Sequence, residues 1–185
     1  MTLYFHTTFY ACLLLFSQAT FSVTSDAENL QMEGLDGKQH SLSEYFDQNK
    51  WLIVNVWGTS CPYCRMELFD LTSFHNKHHK QDAMVIGLTL EFPSFNFPKK
   101  QSVSDFALDY FIDYPLLLVD RKLASKVIGQ NIDMIPLTFI YNPHGKLVHR
   151  ISGAVTEKML EDIIKTKSSN VQIEKPERNP LEEKL

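Results

Sequence analysis

The chain has 185 residues, 44% of them hydrophobic and 22% charged, which is enough apolar matter for one buried core with extensions at its ends. Its formal charge is −4, with no large basic block, so a nucleic-acid partner is not expected.

Residues 1–25 contain no Lys, Arg or Glu, and Phe9 to Phe16 is almost continuously apolar. That run is short for a bilayer span and of the right length for the core of a secretory leader. Ser17-Gln18-Ala19 then offers small residues for cleavage after Ala19. Residues 1–19 therefore read as a signal peptide or a membrane anchor, with Cys12 as a small hydrophobe inside it. Once such a leader is removed, two cysteines remain, Cys61 and Cys64. Export would put them where disulfides persist, and a single pair points to function more than to a structural framework.

Asp26 to Lys50 is polar, with a turn at Gly34 to Lys38 and a short helix expected over Ser41 to Phe46, capped by Ser41 or Ser43. Leu52 to Val56 and Met84 to Leu90 read as buried strands. Between them, the spacing of Met66, Phe69, Leu71 and Phe74 suggests one helix from Pro62 to about His79. Phe92 to Lys100 is a loop marked by Pro93 and Pro98, with Phe92, Phe95 and Phe97 as either a substrate-facing surface or packing. Helices are expected over Val103 to Phe111, after Ser102, and over Lys122 to Ile128, stopping at Gly129. Between these two helices, Tyr114 to Val119 is a short extended piece. Leu137 to Tyr141, the turn Asn142 to Gly145, and Lys146 to Ile151 form a hairpin. A last helix spans Thr156 to Lys165 with Thr156 as N-cap, and 166–185 is a charged tail expected to be disordered. The order implies an α/β fold: a mixed sheet with helices on both faces, occupying residues 26–165.

Cys61-Pro62-Tyr63-Cys64 follows a buried strand and opens a helix. With Cys61 at the N-cap and Pro62 at the first helical position, the first sulfur faces free backbone N–H groups that favour a thiolate. Cys61 is then the attacking thiol and the more shielded Cys64 the resolving one. The spacing Cys61-x2-Cys64-x10-His75-x3-His79 also approaches a zinc-finger pattern. On one continuous helix, however, His75 would lie about 16 Å or more from Cys61, so four ligands could not meet. His75, His78 and His79 are instead expected on a solvated helix face.

Trp57-Gly58-Thr59-Ser60-Cys61-Pro62-Tyr63-Cys64-Arg65-Met66-Glu67 resembles the active-site signature of the TlpA/ResA-like (DsbE/CcmG-like) thioredoxins. Met134-Ile135-Pro136-Leu137-Thr138-Phe139 resembles that family's second landmark, a cis-proline opening a strand. The likeness covers about Leu30 to Lys165, including the central insertion that separates the group from minimal thioredoxin. It implies a thioredoxin-like fold and an extracytoplasmic thiol–disulfide oxidoreductase without cofactor or metal. The implied partners are protein disulfide or dithiol substrates, apocytochrome c among them, and an upstream redox partner.

Carried over residue by residue, Ile135 and Pro136 become a substrate-docking ledge, with Trp57 and Tyr63 beside it; for Trp57 a core role is the alternative. Asn55 stands where minimal thioredoxins carry a buried acid, which shifts the expected proton acceptor for Cys64 to Glu91 at a strand end. The family's proline after the motif glutamate is absent, since Glu67 leads into Leu68-Phe69-Asp70, so a less kinked helix is expected.

Two other readings stay open, an oxidase or isomerase and a metallochaperone, while a peroxidase fits less well. Pro62-Tyr63 between the cysteines also suits a thiol oxidase or disulfide isomerase. A peroxidase would want Pro and Thr ahead of its attacking cysteine, a set that Val54, Thr59 and Ser60 do not supply. A thioredoxin-fold metallochaperone could hold a soft ion on the two thiolates.

Overall fold

The computed structural model describes residues 29–46, 48–90 and 100–171, with side chains described through 166. The leader 1–19, Glu91, the loop from Phe92 to Pro98, and 172–185 lie outside the described residues. In chain order the elements are β1 (Met32–Gly34), β2 (Gln39–His40), α1 (Ser43–Phe46), β3 (Trp51–Trp57), α2 (Pro62–Arg65), α3 (Leu68–His78) and β4 (Ala83–Leu90). They continue with α4 (Lys100–Asp109), β5 (Leu116–Val119), α5 (Arg121–Ile128), β6 (Leu137–Tyr141), β7 (Leu147–Ser152) and α6 (Glu157–Val171).

The strands form one seven-stranded sheet in the order β2-β1-β5-β4-β3-β6-β7. β3, β4 and β5 run parallel, while β6 and β7 add antiparallel to one side of β3 and the β1–β2 hairpin adds to β5 on the other. All seven residues of β3 and all eight of β4 are buried, as their uninterrupted apolar runs require of central strands covered on both faces.

Successive strand residues face opposite sides, so the core divides in two. Leu52, Val54 and Val56 join Ile86, Leu88 and the α5 residues Ala124 and Val127 on one face. Ile53 and Trp57 join Val85, Leu68, Leu71 and Phe74 of α3, Val103 of α4 and Leu160 of α6 on the other. Asn55 falls between Ile53 and Trp57 on that second face, a polar side chain beneath the helices that follow the cysteines.

Several boundaries differ from expectation. The stretch from Pro62 to His79 is two helices, broken at Met66-Glu67, although no proline follows Glu67. The amides of Met66 and Glu67 reach only three residues back, to Tyr63 O at 3.3 Å and Cys64 O at 3.4 Å, which ends the first turn. Gln39–His40 and Met32–Gly34 are strands, brought into the sheet by the Gly34 to Lys38 turn, whose Gly37 sits at φ +83°. α6 continues to Val171, so 166–171 are helical rather than tail, and Thr156 accepts the Met159 N–H at 3.3 Å as an N-cap. α5 is capped by Asp120, which accepts from Leu123 N–H at 2.6 Å, and ends at Gly129 with φ +69°. No helix among the described residues is long and apolar enough to cross a membrane.

Candidate active site

At the C-terminal end of β3 the chain turns through Gly58 to Ser60 and enters α2. Cys61 is the N-cap of that helix, in an extended conformation, with Pro62 in the first turn. The sulfurs of Cys61 and Cys64 are joined in a disulfide, with Cα atoms 5.3 Å apart. Cys61 is half-buried and Cys64 fully buried, so a partner can reach only the first sulfur. The Cys64 amide donates to Cys61 Sγ at 3.1 Å. Because α2 is a single turn, this N–H, more than a long helix dipole, is what would hold negative charge on Cys61 after reduction.

The segment before β6 closes the other side. The Ile135–Pro136 peptide is cis, and Ile135 O lies 3.9 Å from Cys61 Sγ. Ile135 is half-buried and the Pro136 ring is buried. The accessible part of this segment is therefore Ile135, with exposed Met134 beside it, while Pro136 lies beneath. The Pro136 carbonyl accepts from Gly153 N–H at 3.0 Å, which ties the ledge to the β7–α6 loop.

The resemblance assigns the proton acceptor to Glu91, which lies outside the described residues. A buried carboxylate does follow the dithiol, three residues past Cys64: Glu67. It has no exposure, one helical turn beyond Cys64, and points into the core where the helix breaks. Oε1 accepts from Asn55 Nδ2 at 2.9 Å and Oε2 accepts from Val155 N–H at 2.9 Å. Asn55 Nδ2 also donates to Thr138 Oγ1 at 3.0 Å. Burial pushes Glu67 up to about 7, against the opposing pull of the Val155 and Asn55 hydrogen bonds. Asn55 thus does not leave the site without an acid: its amide grips one supplied by the neighbouring helix. The signal was present in the sequence, since Glu67 stands three positions after Cys64 and so on the same helical face.

Three further expectations change. Trp57, placed at the substrate surface, is fully buried, with its ring 5.5 Å from that of Phe106, and takes the core role. Tyr63 does stand at the surface, 68% exposed. His75 is not on a solvated face: it is 6% exposed, and its Nδ1 accepts the Val85 N–H at 3.1 Å. Burial lowers it to about 4, so it is neutral at ordinary pH. Its helical spacing from Leu68 and Leu71 puts it on the stripe that faces β4. His78 and His79 are half-buried. Arg65, just past the pair, donates to Thr59 O from Nε and Nη2 at 3.2 and 2.9 Å and lies over the Phe106 ring.

Residues 23–150 match the AhpC/TSA family. The chain is 31% identical over 145 residues to the thiol-disulfide oxidoreductase ResA of Bacillus subtilis, covering 77% of this chain and 74% of that protein. It is 27% identical over 138 residues to the ResA of Halalkalibacterium halodurans, covering 75% and 73%. Among solved structures, a DsbF homologue from Corynebacterium diphtheriae superposes with a TM-score of 0.63 at 25% identity, covering 74% of this chain and 83% of that one. StoA from Bacillus subtilis superposes with a TM-score of 0.58 at 23% identity, covering 72% and 93%.

Proposed function

The chain belongs to the AhpC/TSA family and is a thioredoxin-fold thiol–disulfide oxidoreductase of the ResA type, and on that premise we propose that it acts outside the cytoplasm to reduce disulfides of exported proteins, apocytochrome c among them. The observation that carries the reading is the asymmetry of the pair: one half-exposed sulfur beside the Ile135–Pro136 ledge, and one buried sulfur with a buried acid three residues further along the chain. In the reduced state the Cys61 thiolate attacks one sulfur of a substrate disulfide. An S–S bond forms to Cys61 as the substrate's bond breaks and its second sulfur leaves as a thiolate. Cys64 loses its proton, attacks Cys61 Sγ and restores the Cys61–Cys64 disulfide, releasing the other substrate sulfur. Two electrons have passed to the substrate, and a dithiol donor of the upstream redox partner must return them.

Glu67 is the group suited to take the Cys64 proton, since its ionisation near 7 matches the working range. Ile135 gives the substrate backbone a place to pair in extended form. Residues 1–19, with their apolar core, support export or attachment to the outer face of a membrane.

Equilibration of the pair with glutathione tests the direction. A buried acid so close in the chain to Cys64 disfavours a second negative charge on the thiol and so favours the disulfide of the enzyme, which makes the dithiol a donor. A potential near that of thioredoxin, about −270 mV, is expected. A value at or above about −180 mV, where disulfide isomerases lie, would assign the site to oxidation or isomerisation instead.

A further inference from the structure

Large apolar side chains stand exposed on either side of Cys61. Tyr63, Met66 and Phe69 recur at every third position and are 68%, 69% and 82% exposed, although Leu68 and Leu71 on the same segment are fully buried. Across the sulfur, Met134 is 51% exposed and adjoins Ile135, whose carbonyl lies 3.9 Å from Cys61 Sγ. Tyr63 lies in α2 and Phe69 in the first turn of α3, with Met66 at the break between them, so the stripe runs across both helical segments leading away from Cys61. A stripe of this kind is rare on a surface that water alone contacts, and its near end is the one sulfur a partner can reach. The cation closest in sequence, Arg65, is already engaged by Thr59 O and the Phe106 ring, so the stripe offers little to an anionic small molecule.

We propose that Tyr63, Met66, Phe69 and Met134 form a specificity surface that selects polypeptide disulfides whose attacked cysteine is flanked by large apolar side chains. The occupant is a locally unfolded substrate segment, because a folded one would keep such side chains buried. This rests on the exchange reaction proposed above and adds its substrate class.

The test is the second-order rate at which the pre-reduced full-length protein reacts with three disulfides: a peptide with Leu or Phe beside the cysteine, the same peptide with Gly and Ser there, and glutathione disulfide. Wild type should favour the apolar peptide by at least tenfold. M66S/F69S, both at exposed positions, should lose most of that preference and leave the other two rates unchanged. Equal rates for the two peptides with wild type, or an equal fall on all three substrates in the variant, would overturn the specificity surface while exchange itself stood. Absence of reaction with every disulfide would remove the exchange reading and this inference with it. Sedimentation of both proteins covers the remaining occupant: a wild-type dimer that becomes monomeric in M66S/F69S would make the stripe a self-association face and overturn the proposal.

Discussion

Glu67 and His75 are displaced in opposite senses across one pH window. Glu67 ionises at about 7 in the fold against an ordinary 4.5, so the folded state binds more protons than the unfolded and stability falls as pH rises between these values. His75 ionises at about 4 against 6.5, so the unfolded state binds more protons there and stability rises with pH. Each effect is worth roughly 3 kcal/mol, at about 1.4 kcal/mol per pH unit, and the two offset one another. The disulfide form should therefore show a denaturation midpoint nearly flat from pH 4.5 to 6.5. E67Q should expose a midpoint that climbs with pH, and H75N, which keeps an acceptor for Val85 N–H, one that falls. Parallel profiles in all three proteins would contradict this pairing. Glu67 also carries a kinetic expectation: E67Q should slow resolution of a mixed disulfide at pH 8 by on the order of 10²-fold and remove the rise in rate near pH 7. An unaltered pH profile would exclude it as the acceptor for Cys64.

At the scale of elements, the break between α2 and α3 coincides with the inward turn of Glu67, whose carboxylate Asn55 and Val155 hold. The sequence implies the reverse, a straighter helix, because the proline after Glu67 is missing; the pull of two buried donors on a carboxylate does not register in local propensity. The same blindness applies to His75, which looked solvated by residue type yet shares the Leu68 and Leu71 stripe, and to β1 and β2, whose three and two residues are too short for any periodicity. By contrast β3, β4 and β6 were legible as apolar runs, and Gly129 and Thr156 as a helix stop and a cap. Where strands meet closely the fit can be tested. A Cβ on Gly87 would come within 2.5 Å of Leu116 Cδ2 and 2.8 Å of Trp57 Nε1. G87A should lower stability by about 1–3 kcal/mol in chemical denaturation through overpacking. D120A, which removes the α5 cap, should cost about 1 kcal/mol. Both positions lie away from the sulfurs, so exchange rates below the unfolding transition should be unchanged.

Across the whole molecule, the sheet order brings together stretches that the sequence keeps about 70 residues apart. β3 and β6 are neighbours, so the turn after one and the ledge before the other flank a single sulfur. The dithiol and the Ile135–Pro136 landmark were readable as patterns, and their resemblance to one family implied that they meet. What could not be read was the bracing behind them: Glu67 to Val155, and Pro136 to Gly153, which join the helix after the cysteines, the ledge and the β7–α6 loop into one unit. That unit has one accessible sulfur and one hidden one, and the account stands on this division of labour. C64S, presented with a peptide disulfide, should accumulate as a covalent adduct through Cys61, seen as the mass of the protein plus one peptide thiol. C61S should form none. Adducts forming equally on Cys64 in C61S, or no adduct on Cys61 in C64S, would contradict it.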